Sequence, residues 1–397
     1  MACHQRRGSP RGRREEAMPR ITRHGWTKRL AGLLLGGLAS APVAAGAAAY
    51  SYTQPLLPRA TARNTGLHTL WQIPIGLTPA DRDRVLHLAR VGSLVFVLTA
   101  RGYLVGINAA DGTIRGSTKV PGEGDLVKGI VRFGRHQVLL TALGELLDMN
   151  TRTGKMVHRQ VLKFAPGTAP LVTPAGIFIG DLAGQMHALS AKFPLYGQWF
   201  QEAAGDSFQT NPVLASGRLV FVSRQGVLWG RDPADGQGGW RRRLGGRVTV
   251  GGLTAGDGLV FVPCLDHKLY AIDPESGMAP WIIHLPGRLD HRPRVCGKKL
   301  LIASGGAGLF CLAAASGRRL WGPVRGVGDV IARNGSTLVA VTQRGDLALL
   351  NLKNGATVGA APLRGAALFA ENPYQKNSFY VAAWDGRVAA LILRPEF

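Results

Sequence analysis

Cysteine, acidic residues and catalytic signatures are all in short supply in this 397-residue chain, and each shortage closes off a class of protein. Only Cys3, Cys264, Cys296 and Cys311 are present, too few for a disulfide-stapled framework. None is spaced as CxxC or CxxCH, which removes a thioredoxin-type redox centre and a covalent haem site. HExxH, GxSxG and phosphate-loop patterns do not occur either, so the commonest metallopeptidase, hydrolase and nucleotide-triphosphatase readings lack their signatures. Asp and Glu number 24 against 48 Lys and Arg, leaving a net charge of +24. Residues 1–63 carry +9 of this and the remainder +15. A basic surface suits nucleic acid, anionic headgroups or an acidic protein. No aromatic residues interleave with the cations as stacking platforms, and the chain opens with an export-type leader, so nucleic acid is not an expected partner.

What the chain has in quantity is glycine, 54 residues, roughly twice the usual ~7%, and it recurs in register. One turn position falls at Gly102, Gly144, Gly184, Gly226, His267, Gly308, Gly345 and Gly386, about every 41 residues. A second ruler, Gly112, Gly154, Gly236, Gly277, Gly317 and Gly355, gives the same period. Around these lie short apolar, β-branched runs such as Leu94-Val95-Phe96-Val97-Leu98, and nothing with a helical period. An Asx residue (Asn108, Asn150, Asp232, Asp273 or Asn351) closes five of the third strands, with a glycine four residues on, while Ser190 and Ala313 replace it in two others. Asx side chains bond backbone two residues ahead, and glycine supplies the positive φ of such a turn. Trp240, Trp281 and Trp321 then begin the outer strands; Gly116, His158 and Gly359 hold that place in blades 1, 2 and 7.

This grammar predicts an all-β fold: an eight-bladed β-propeller of four-stranded antiparallel blades. The chain ends after the third strand of its last blade. Residues 66–73, with their own Gly66 and Trp71, supply the missing outer strand, so an N-terminal strand completes the last blade and leaves few open edges. Residues 64–397 form the propeller, 50–63 a linker, and 1–49 a basic leader and signal peptide.

Residues 30–50 carry no charge, and small residues around 45–49 suit signal-peptidase cleavage. The 21 uncharged residues also just suffice for an uncleaved anchor, and Met18 offers an alternative start. Cys296 and Cys311 fall in one blade, either bridged or packed as free thiols. Asp266 and His267 stand where other repeats place a turn glycine, as a structural turn or a ligand pair. Asp290-His291-Arg292 is a polar triplet in the loop between blades 5 and 6. Arg241-Arg242-Arg243 is either a solvated strand end or a dock for an anionic partner. None of these forms a recognisable chemical set; the expected catalytic, cofactor-binding and metal-binding residues are none, with no cofactor.

The run Leu269-Tyr270-Ala271-Ile272-Asp273-Pro274-Glu275-Ser276-Gly277, with Trp281 beyond it, resembles the repeat of the pyrroloquinoline-quinone-type (PQQ-like) propellers, over roughly residues 64–397. One branch of that family, the quinoprotein dehydrogenases, is longer and uses adjacent cysteines and a Ca²⁺ site; this chain has no adjacent cysteines and no matching ligand positions. The other branch is the BamB family, exported propellers of the outer-membrane β-barrel assembly machinery. That likeness implies a non-enzymatic periplasmic scaffold, monomeric within a complex. Its partners would be the outer-membrane β-barrel insertase and its unfolded clients, with peripheral membrane association. A lipobox cysteine, usual in that branch, is missing here: no cysteine lies between Cys3 and Cys264. The alternative is a PQQ-dependent dehydrogenase-like quinoprotein or its accessory subunit.

Overall fold

Each repeat contains two apolar strands flanked by two half-exposed ones. In blade 5, for example, Leu259–Pro263 and Lys268–Ile272 are almost wholly buried, while Thr254–Gly256 and Trp281–His284 alternate. Strands buried on both faces need a neighbour on each side, and only stacking of like units provides one. In a computed structural model, the chain forms eight four-stranded antiparallel sheets. The structure describes residues 54–394 except 78–82, 125–126, 136, 143, 154, 204 and 250–251. The leader, Cys3, His136, Gly154 and Met18 therefore lie outside the described residues. Blades 1 to 7 span 85–119, 130–161, 171–202, 213–243, 254–284, 294–324 and 327–361. Blade 8 takes its first three strands from 366–393 and its outer strand from Leu67–Pro74, which runs antiparallel to Arg387–Leu393.

No single core fills the molecule. Among the described residues eight hydrophobic clusters occur, each shared by two adjacent blades and together accounting for every neighbouring pair around the ring. The first strands of successive blades meet one another, so they line the axis and the fourth strands form the rim. The last cluster to close joins Val85, Val95 and Val97 of blade 1 to Trp71, Tyr380 and Val388 of blade 8.

The Asx turns form as the spacing predicts. The Oδ1 atoms of Asn108, Asn150, Asp232, Asp273 and Asn351 accept the backbone N–H two residues ahead. In five blades the turn glycine has a second duty, because it docks a tryptophan from the preceding blade. A Cβ on Gly236, Gly277, Gly317 or Gly355 would come within 2.3–2.7 Å of Trp199, Trp240, Trp281 or Trp321, respectively. The indole N–H then donates to a carbonyl in the same turn: Trp199 to Pro233, Trp240 to Pro274, Trp281 to Ala314 and Trp321 to Leu352, at 2.9–3.3 Å. Trp71 does the same across the closure, on Gly112 and the Ala109 carbonyl. Trp240, Trp281 and Trp321 thus wedge between adjacent blades, and Trp71 and Trp199 add blades 8 and 3 to the series.

Residues opposite these tryptophans on the third strand are small: Ala188, Gly230, Ala271, Cys311 and Ala390. Blade 2 departs, with His158 stacked on Phe193 at 4.6 Å and hydrogen-bonded to buried Asp148. Gln160 completes that junction by bonding both the N–H and the C=O of Leu195.

One expectation changes. Residues 50–63 read as linker, yet Leu56 and Leu57 are buried in the cluster between blades 7 and 8, and Arg59–Thr65 forms a helix, the only one among the described residues. Blade 7 is the blade with Gly359 in the tryptophan place. The helix packs on its outer strand, with Thr65 Cγ2 at 3.8 Å from where a Gly359 Cβ would stand. A seven-residue helix without an N-terminal side-chain cap is unstable alone; tertiary burial of Leu56 and Leu57 is what holds it. No described helix is long and apolar enough to cross a membrane.

Candidate functional site

The polar triplet between blades 5 and 6 leads to a charged recess on the axis. The first strands of blades 5 to 8 enclose a cavity of about 400 Å³, among whose lining residues are Thr254, Arg292, Arg294, Asp329, Phe369 and Glu371. Strand geometry explains the gathering: loop residues 290–292, just ahead of the first strand of blade 6, and Asp329, near the start of the first strand of blade 7 (Val327–Asn334), come to the same mouth. His291 Nδ1 lies 3.0 Å from Asp329 Oδ2, and its Nε2 lies 3.6 Å from Asp290. The hydrogen bond to Asp329 raises the His291 pKa above its usual value, against the opposing pull of burial. Arg292 Nε donates to Thr254 Oγ1 at 3.2 Å, and Thr254 Oγ1 in turn donates to the Pro293 carbonyl. Arg294 bonds the Val330 carbonyl and pairs with Glu371. Burial inside the ring raises the Glu371 carboxyl above the ordinary range, more than Arg294 and Arg292 depress it.

Chemically this is a balanced ionic lining. Arg294 pairs with Glu371, His291 stands between Asp329 and Asp290, and no hydrogen bond joins His291 to a serine or cysteine among the described residues. Among the described residues, no group of three His, Cys, Asp or Glu side chains is placed to hold a metal. The recess does not fit a quinone–Ca²⁺ pair: its carboxylates are committed to Arg294 and His291, and no adjacent cysteine pair exists to lie beneath such a ring.

The other sequence candidates scatter. Asp266 and His267 form a turn: His267 takes φ +64, and Asp266 accepts the Lys268 N–H and the Tyr270 hydroxyl. Cys264, Cys296 and Cys311 are free thiols. Arg241 and Arg243 are exposed on the rim of blade 4, with Arg241 over the Trp229 ring at 5.9 Å, while Arg242 bonds the Gly277 carbonyl of blade 5. Two His–Asp pairs were not expected from the sequence. His158–Asp148 spans neighbouring strands of blade 2, and His187–Asp181 spans a hairpin of blade 3, each at 2.8 Å. Only strand pairing places them together; the readable signal was the cross-strand register, in which His158 faces Asp148.

The rim is the remaining surface. Most outer strands carry a device against edge pairing: Arg115 and Lys119 in blade 1, Arg159 in blade 2, three arginines in blade 4, Pro323 in blade 6, the helix over blade 7, Pro74 in blade 8. Blade 5 presents only the four-residue Trp281–His284. Blade 3 presents six residues, Gly197–Glu202, with no Lys, Arg or Pro. Tyr196 and Phe200 there are 66% and 60% exposed. Phe200 pairs across the strand with His187, on which Phe164 stacks at 3.7 Å.

Comparison with known proteins places this architecture. Residues 224–391, covering most of blades 4 to 8, match a PQQ-type family model described as outer membrane protein assembly factor BamB. Two curated relatives of that same description, from Nitrosomonas eutropha and Alteromonas naphthalenivorans, are each 26% identical, over 196 and 251 residues. These alignments cover 46% and 53% of this chain, and only 47% and 60% of the relatives' own lengths. The crystal structure of BamB from Moraxella catarrhalis superimposes with a TM-score of 0.65, covering 83% of this chain and 99% of that one at 16% identity. At that identity the superposition speaks for the fold alone.

Proposed function

We propose, from the premise that this chain is a β-propeller of PQQ-like repeats similar to BamB, that it is a non-enzymatic periplasmic scaffold of outer-membrane protein assembly. In this reading the ring docks on the insertase of the outer membrane and supports folding and insertion of β-barrel clients. The observation that carries it is the match of most of the last five blades to the BamB description. Two structural features support it. The functional surface left once the interblade cores are assigned consists of loops and rim, which is what a docking platform requires. The rim also has one long undefended edge, in blade 3, and an extended client strand can add to such an edge through backbone hydrogen bonds.

The test is cross-linking in intact cells, followed by purification of the propeller and identification of what it carries. Recovery of the β-barrel insertase is the expected result. Recovery of respiratory or cell-wall enzymes alone, with no insertase, overturns the reading. Replacing Phe200 with Lys at the open edge should lower client cross-links while leaving insertase cross-links unchanged.

A further inference from the structure

The closure between blades 7 and 8 creates a second cleft, separate from the axial recess and, unlike it, lined by cations without carboxylates. It has a volume of about 800 Å³. Arg63 and Asn64 enter it from the helix, His68 from the closing strand, Ser336 and Thr337 from the hairpin of blade 7, and Arg394 from the end of blade 8. No carboxylate is among its lining residues. The neighbouring segments 54–77, 330–345, 347–370 and 386–394 hold Arg59, Arg63, Arg333, Arg344, Lys353, Arg364, Arg387 and Arg394 without an Asp or Glu; Asp346 and Asp385 lie between them, Asp346 accepting the Leu363 N–H and Asp385 pairing with Arg387. Neither Arg63 nor Arg394 has an ion-pair partner among the described residues, unlike Arg159, Arg294 and Arg387. The frame is fixed independently of these cations. Asn334 Nδ2 and Asn377 Nδ2 both donate to the Leu393 carbonyl, and the Arg394 N–H bonds the Gly66 carbonyl. The cations thus project from a rigid junction.

We infer that this cleft binds a phosphate ester carrying a small polar, hydroxyl-bearing group. Guanidinium forks match the geminal oxygens of phosphate. The volume exceeds what a bare phosphate needs, and the amide and hydroxyl side chains beside the cations are suited to a glycerol or sugar moiety. Such a group is found both on anionic lipid headgroups and on soluble metabolites, and the experiment separates the two.

Purified full-length protein is titrated calorimetrically with glycerol 1-phosphate. In parallel it is floated with vesicles of phosphatidylglycerol in phosphatidylcholine and with vesicles of phosphatidylcholine alone. Two double variants accompany the wild type: Arg63→Gln/Arg394→Gln in the cleft, and Arg241→Gln/Arg243→Gln on the rim of blade 4. All these side chains are exposed and each pair removes equal charge, so folding and net charge are matched; circular dichroism checks the fold. The proposal expects at least tenfold weaker binding in the cleft variant and under twofold change in the rim variant. An effect seen with glycerol 1-phosphate but not with vesicles identifies a soluble ligand; an effect with both identifies a headgroup. Equal losses in the two variants, or no loss with either probe, overturns the site.

Discussion

Substituting the turn glycine of blade 5 tests the claim that the ring is held by tryptophans docking on glycines. Gly277 has φ +71, and a Cβ there would stand 2.3 Å from Trp240 Cδ2. Gly258, in the same blade, has φ +77 with no atom within 4 Å of its Cβ position. Gly277→Ala and Gly258→Ala both force an L side chain into the left-handed region, at a cost of about 1–2 kcal/mol each. Only Gly277→Ala must also displace an indole whose N–H is tied to Pro274 at 2.9 Å. Overpacking of a fitted site costs about 1–3 kcal/mol, so Gly277→Ala should be the worse variant by that amount. Urea unfolding followed by circular dichroism reads the difference as a midpoint shift at common slope. The extra cost should shrink when Gly277→Ala is placed in a Trp240→Phe background, because the smaller ring gives way; a coupling above about 0.5 kcal/mol is the expected sign of direct contact. If the two alanine variants have the same midpoint, or the double variant is simply additive, Trp240 does not carry the interblade contact described.

The remaining predictions concern other parts of the ring. Leu56→Ala should destabilise the protein by about 2–5 kcal/mol, since Leu56 is fully buried between blades 7 and 8; a neutral result in the same urea assay would return residues 54–65 to the status of a linker. The raised pKa of His291 means that its pairing with Asp329 stabilises the fold below the unfolded pKa of about 6.5 and that this contribution fades as pH rises through the folded pKa. Asp329→Asn should therefore lower the His291 pKa, followed by NMR titration, and weaken this pH dependence, with Asp290 still facing the ring; an unmoved titration curve contradicts the pairing. Burial pushes the Cys311 thiol up to about 11 and the Cys264 thiol higher still. A thiol reagent near pH 8 should accordingly label Cys296 first, with Cys264 and Cys311 reacting only on unfolding; mass mapping that found Cys264 labelled in the native state would refute its burial.

The sequence alone determined the blade, because everything that makes a blade is local. Asn108, Asp232 and Asp273 bond backbone two residues away, the paired glycines supply turns a few residues later, and the apolar runs between them are too short for anything but strands. Repetition then determined the count of eight, and the unfinished last unit pointed to residues 66–73 as the closing strand, observed at Leu67–Pro74. What the sequence could not determine is whatever depends on which blade meets which, since closing the ring joins residues far apart in the chain. Trp71 is buried against Ala109 and Tyr380; Leu56 enters a core made by residues 331–391. The helix Arg59–Thr65 was invisible for the same reason: seven polar and small residues have no helical signature, and a vacant tryptophan place on blade 7 is what gives them a surface. The charged recess of blades 5 to 8 and the cation-lined cleft of blades 7 and 8 are likewise products of closure. Local hydrogen bonds write the repeat into the sequence, but side chains separated by hundreds of residues acquire a common environment only when the circle is complete.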